Sequence, residues 1–84
     1  MSESIFYFQQ VIEEFGISEE LMYLAIKSRW ISPFKLEEKK LDHEDLARLQ
    51  LIAELRDDFG VNNDSIPIIL HLIDQLHALR NRDR

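Results

Sequence analysis

Cysteine is absent from the 84 residues, which excludes disulfide frameworks, thiol nucleophiles, iron–sulfur clusters and cysteine-ligated zinc, and fits an intracellular address. Glycine and proline occur only twice each, far too rarely for a collagen-like or low-complexity chain. No apolar run approaches the roughly 18 residues of a membrane helix, and the opening MSESIFYF lacks the basic stretch and long apolar run of an export signal. A cytoplasmic protein with no membrane contact is expected. Positive charge is also scarce: ten basic residues face sixteen acidic ones, for a net charge of -6. That balance works against long-range attraction to DNA or anionic lipid and favours a basic protein partner.

What is present describes a folded chain. Hydrophobic residues make up 45% and charged residues 31%, ordinary values for a globular protein. The length suits one module spanning residues 1–84 and is too short for the large α/β active sites.

Periodicity predicts four helices. Phe8, Val11, Ile12 and Phe15 recur at helical spacing over Tyr7–Phe15, with Ile5 and Phe6 leading in as a short strand and Gly16 as the stop. Ser18 is a natural N-cap for a second helix over Glu19–Ser28, with Ile17 and Met22 as a hydrophobic staple and Leu21, Leu24 and Ala25 as its apolar face. So short a link makes the pair a helix-turn-helix. Between Trp30 and Leu41 the helical period is lost, and Ile31 and Leu41 are expected to pair as the strands of a small wing. Asp42 and Asp45 form a capping box for a third helix whose inward stripe is Leu46, Leu49, Ile52, Ala53 and Phe59, closed by Gly60. Asn62, Asn63 and Asp64 are three caps in a row ahead of a fourth helix to about Arg80, and Pro67 fits an irregular first turn if Asp64 is the cap.

Little in this chain supports catalysis, and no cofactor is expected. The three histidines, His43, His71 and His77, form no i, i+4 pair that would grip a metal from one helix face. The acidic doublets Glu13/Glu14, Glu19/Glu20 and Asp57/Asp58 are sequence neighbours, whose side chains diverge by about 100° on a helix rather than converging on a reacting atom. Neither a glycine-rich phosphate loop nor a GxSxG elbow occurs.

Charge is segmented: -5 over residues 1–26, +3 over 27–40, -5 over 41–64 and +1 over 65–84. Glu19 and Glu20 lead the second helix, where a DNA-reading helix presents its base and phosphate contacts, so they would repel a duplex. Lys27, Arg29, Lys35, Lys39 and Lys40 are the feature that keeps DNA in view. The fourth helix is apolar over a broad face, Ile66, Ile69, Leu70, Ile73, Leu76 and Leu79, extended by Ile68 and Leu72. That is wider than packing on one small domain should need: either the third helix covers it all or a second subunit shares it, and the second is the expectation, a homodimer through Ile69, Leu72, Ile73, Leu76 and Leu79.

Three runs carry a resemblance: GISEELMYLAIKSRWISPF (Gly16–Phe34), LDHEDLARL (Leu41–Leu49) and LRDDFGVNNDSIPIILHLIDQL (Leu55–Leu76). They resemble the chaperone-modulator CbpM family, a branch of the MerR-like winged helix-turn-helix group. The third run is the most specific, with Arg56, Asp57, Gly60, Val61, Asn62, Ile66, Leu70 and Asp74 at the family's spacing. The resemblance implies an all-α fold of four helices with a small β wing. It also implies a non-enzymatic adaptor that binds the J-domain of a DnaJ-like nucleoid co-chaperone of the CbpA type and inhibits its co-chaperone and DNA-binding activities. J-domains resemble one another in carrying a basic second helix, so candidate contacts are Glu13, Glu14, Glu19 and Glu20, or alternatively Asp57, Asp58 and Asp64. DNA-binding MerR proteins carry Arg and Tyr in the middle of the second helix, where this chain has Tyr23, Leu24 and Ala25. Arg29 stands where both groups usually have Gly, Leu41 replaces the modulators' wing aromatic, and the C-terminal tail of some members is short here. The alternative function is a MerR-like DNA-binding transcriptional regulator, and a third is a purely structural dimerisation module.

Overall fold

Two glycines and a set of polar caps divide the chain into its elements. A computed structural model describes residues 5–33 and 36–82. Strand β1 (Ile5–Tyr7) leads directly into helix α1 (Phe8–Phe15), and helix α2 (Glu19–Lys27) follows. A short 3-10 turn (Leu36–Glu38), strand β2 (Lys40–Asp42), helix α3 (His43–Asp57) and helix α4 (Ile66–Arg82) complete the order. Among the described residues the architecture is thus the expected four helices with a small β element.

Helix α1 ends because Gly16 takes a left-handed conformation, with φ of 68°. Two residues later the Ser18 hydroxyl accepts the Leu21 N–H at 3.0 Å and opens α2, with Ile17 and Met22 both buried as the staple requires. Helix α2 buries Leu21, Met22 and Ala25, whereas Leu24 is only partly buried, so its inner face centres on Met22. The exit from α2 also needs a left-handed residue, and Arg29 supplies it at φ of 62°. The reversal lets the Trp30 and Ile31 N–H groups bond back to the Ala25 carbonyl at 2.8 and 3.4 Å, and both side chains drop into the core.

The β element differs from expectation. Leu41 pairs with Phe6, not with Ile31: β1 and β2 run antiparallel with Ile5 opposite Asp42, Phe6 opposite Leu41 and Tyr7 opposite Lys40. Ile31 is 2% exposed and packs as a core residue outside any strand. Its burial follows from the tight turn at Arg29, which leaves no extended partner at that position. The lead-in strand therefore supplies the pairing, and the Lys39 carbonyl accepts the Phe8 N–H at 2.9 Å, serving the start of α1 that no side chain caps. Tyr7 belongs to the strand rather than to the first helix turn. Phe15 is 38% exposed, its ring meeting Phe6 edge-on at 5.8 Å instead of entering the core. Phe34 and Lys35 of the expected wing lie outside the described residues.

Helix α3 opens as expected, with the Asp42 carboxylate accepting the Asp45 N–H at 2.7 Å. Leu46, Leu49 and Ile52 are buried along its inner side. Phe59 is a correction: it is 72% exposed, because α3 ends at Asp57 and the chain has left the helical register before Phe59 is reached. Gly60 closes the helix at φ of 66°, and the Val61 N–H returns to the Leu55 carbonyl at 2.8 Å. Of the three candidate caps, Asn62 provides a side-chain acceptor ahead of α4, its Oδ1 accepting the Ser65 N–H at 3.0 Å in the turn that leads into the helix. The turn over 63–65 is finished before Ile66, so Pro67 falls in the first helical turn, where a missing N–H costs little.

The core joins Phe8, Val11, Leu21, Met22, Trp30 and Leu41 to Leu49, Ile52, Ile66 and Leu70. Helix α4 contributes Ile66 and Leu70, with Ile69 and Ile73 half-buried, and from Asp74 to Asn81 every residue is exposed. Arg48 of α3 fixes its direction. Its two terminal nitrogens donate to the two Asp74 carboxylate oxygens at 2.8 and 3.0 Å, while Nε donates to the Trp30 carbonyl. The Arg48 hydrogen bonds hold the Asp74 carboxyl below the usual carboxylate range.

Two outcomes follow from this backbone and its caps. A left-handed Arg costs about 1 kcal/mol that Gly does not incur, partly offset by the greater freedom of Gly when unfolded. Arg29→Gly is expected to raise stability by about 0.5 kcal/mol in urea denaturation; a lower midpoint would contradict the strain. Asp45 carries the second. Burial first, then the neighbouring Asp42 carboxylate, push its pKa up to about 6, and its Oδ2 is buried without a hydrogen-bond partner. A raised carboxyl pKa means the folded state binds this proton more tightly than the unfolded chain. The contribution is fully present below the ordinary value of 3.8 and is lost as pH rises through about 6. Asp45→Asn should be more stable than the parent at pH 7.5 by roughly 0.5 kcal/mol, allowing for water screening of a partly exposed group. Melting curves at pH 7.5, 5 and 4 should show that advantage shrinking; a pH-independent difference would refute it.

Candidate partner-binding surface

The seven acidic residues singled out from the sequence are all exposed. Glu13 and Glu14 lie near the end of α1 and Glu19 and Glu20 in the first turn of α2, joined by the tight Gly16–Ser18 link. These four flank one corner of the helix-turn-helix. Gln9 donates to Glu13 at 2.7 Å along α1. Asp57 ends α3, Asp58 is its C-cap and Asp64 lies in the following turn, forming a separate acidic stretch around the α3–α4 junction.

The residues expected at a dimer face divide. Ile69 and Ile73 turn partly into the domain's own packing, whereas Leu72, Leu76 and Leu79 are 58%, 57% and 54% exposed. With Ile68 they form a stripe at steps of four, four and three residues along the outer side of α4. Among the described residues no helix is long and apolar enough to cross a membrane. Nor do three or more His, Asp or Glu side chains converge as a metal site there.

Two grooves went unseen in the sequence. The larger, 420 Å³, lies between the α2 exit, α3 and α4, lined by Trp30, Asp45, Arg48, Leu51, Asp74 and His77 among others. The Arg48–Asp74 pair crosses it, joining residues 26 positions apart, a separation no helical period reveals. The second groove, 320 Å³, lies between the β1–α1 junction, α2 and the segment before β2. It is lined by the apolar Phe8 and Ile12 and by Tyr7, Tyr23, Glu19, Glu38 and Lys39 among others. Tyr7 and Tyr23 are about half exposed, at 56% and 50%. Glu38 pairs with Lys40 at 2.9 Å, and this hydrogen-bonded contact raises the Lys40 pKa, keeping the ammonium charged. The Glu19–Tyr23 spacing of one helical turn was legible in the sequence; the approach of Tyr7 depended on the unforeseen pairing of β1 with β2.

The described residues thus combine a helix-turn-helix with an acidic leading turn, a small antiparallel sheet and a fourth helix whose outer half is exposed. No curated protein and no solved structure matches this chain. The family model of the MerR helix-turn-helix family regulatory proteins matches residues 6–84. With nearly the whole sequence inside that match and the fold to accompany it, the chain belongs to the MerR helix-turn-helix regulatory family.

Proposed function

We propose that this MerR-family domain is a non-enzymatic adaptor that occupies the J-domain of a DnaJ-like co-chaperone and blocks it sterically. The observation carrying this reading is the leading turn of α2, where Glu19 and Glu20 are exposed and the sole base of the helix is Lys27 at its far end. A recognition helix that enters a DNA groove places its N-terminal side chains against bases and phosphates, and carboxylates there are repelled. The same carboxylates suit the basic second helix of a J-domain. Inhibition of the partner's co-chaperone and DNA-binding activities follows from occupying that helix.

The second reading, a DNA-binding transcriptional regulator, rests on the basic segment around the α2 exit and β2. Lys27, Arg29 and Lys39 are exposed there and Lys40 is half-exposed. Lys40 is already engaged by Glu38, which reduces what is left for phosphates.

Calorimetry and gel retardation separate the two. The J-domain should bind at low salt and weaken as salt rises toward physiological strength, where the Debye length is roughly 8 Å. Glu19→Lys with Glu20→Lys should lower the association rate about tenfold while leaving the fold intact. Submicromolar, sequence-dependent retardation of a duplex at about 150 mM salt would replace the adaptor by the regulator.

Helix α4 is proposed as the self-association element. Leaving Leu72, Leu76 and Leu79 in water costs about 25 cal/mol per Å² of apolar surface, which pairing with a second copy would recover. Light scattering at high micromolar concentration should report a dimer for the parent and a monomer for Leu72→Glu with Leu76→Glu. A strict monomer for the parent would remove this element of the proposal.

A further inference from the structure

One ammonium is already held at the smaller groove by the chain itself. The Lys40 Nζ lies 5.1 Å from the centre of the Tyr7 ring and 2.9 Å from Glu38 Oε1, so an aromatic face and a carboxylate grip the same cation. The same two chemical groups recur on α2 in the lining of this groove. Glu19 and Tyr23 are one turn apart on α2 and so share a face of that helix, and both are exposed. Among the described residues Glu19 makes no ion pair, and no cation lies over the Tyr23 ring. Phe8 and Ile12 line the same groove, and the half-exposed Ile12 offers apolar surface suited to the methylene stem of a long basic side chain.

We infer that this groove is the receptor for a single lysine or arginine side chain of the partner, its stem on Ile12 and its charged head between Glu19 and Tyr23. The inference rests on the adaptor reading and deepens it. It places the contact at the helix-turn-helix corner rather than at Asp57, Asp58 and Asp64, and names the basic helix of the J-domain as the source of the inserted residue. A lone glutamate on a helix surface attracts any cation weakly and without orientation. A carboxylate beside an aromatic face selects a cation on an apolar stem, which is the difference between general attraction and a defined anchor. Lys39 lines the same groove, and its positive charge opposes the incoming residue.

Isothermal calorimetry of the full chain against the J-domain of the DnaJ-like co-chaperone from the same organism tests this. Glu19→Gln and Tyr23→Ala should each weaken binding about fivefold to tenfold, with the double variant falling short of the product because both groups serve one cation. Lys39→Ala should strengthen binding about twofold to threefold, a gain no misfolded protein can show. Asp57→Asn with Asp58→Asn should bind as the parent does. Parent-like affinity in Tyr23→Ala together with no gain in Lys39→Ala would overturn the groove while leaving the adaptor reading standing. Absence of heat from the parent at tens of micromolar and low salt would instead remove the adaptor reading, and the groove's assignment with it.

Discussion

Arg48 is the point at which three parts of the chain meet. Its planar guanidinium offers donors in a fixed fork, and each of its three nitrogens makes a bond: Nε to the Trp30 carbonyl, both terminal nitrogens to the Asp74 carboxylate. Trp30 marks the end of the helix-turn-helix, Arg48 sits mid-way along α3, and Asp74 is the position at which α4 leaves the domain. The pair is partly open to water, so its net stabilisation is small, of the order of 1 kcal/mol or less. Its importance is directional. Helix α4 is anchored by Ile66 and Leu70 near its start, and the Arg48 fork holds it at Asp74, where the exposed outer segment begins. The angle at which Leu72, Leu76 and Leu79 are presented is therefore set by this pair together with the buried Ile66 and Leu70.

Charge and shape divide the remaining surface between distinct tasks. The core is closed by apolar residues alone, with no polar or charged residue buried among those described. Ionisable groups stay at or near the surface, where Arg48, Asp74 and Asp42 hold elements together, and the carboxyl of Asp45 is partly buried at the α3 cap at some cost to stability. On α2 the acidic leading turn serves two ends at once: Glu19 and Glu20 complement the positive end of the helix dipole and also set the sign of the surface next to the smaller groove. Stability alone is enough to account for carboxylates at that position. What the dipole does not account for is a pair of half-exposed tyrosines walling the groove beside them.

Helix boundaries were legible because each is set by a local event. Gly16 and Gly60 adopt the left-handed conformation, Ser18 and Asp42 accept amide protons three residues ahead, and apolar spacing marks Leu46, Leu49 and Ile52 as inward-facing. These are interactions over a few residues, and sequence order determines them almost unaided. The exposed acidic residues were legible for the same reason, since caps and polar faces need no distant partner. Pairings over long separations were not. A strand of three residues carries too little pattern to choose its neighbour, so Leu41 could be matched as readily with Ile31 as with Phe6 until the turn at Arg29 committed Ile31 to the core. Phe59 fitted the helical period of α3, but the helix had ended before it. The sequence by itself thus determined the helices, their caps and the acidic sign of the surface, because those depend on neighbours along the chain. Only the tertiary structure decided which strand pairs with β2, which half of α4 is covered and which side chains wall the two grooves, because each depends on groups brought together from distant positions by the packing of one core.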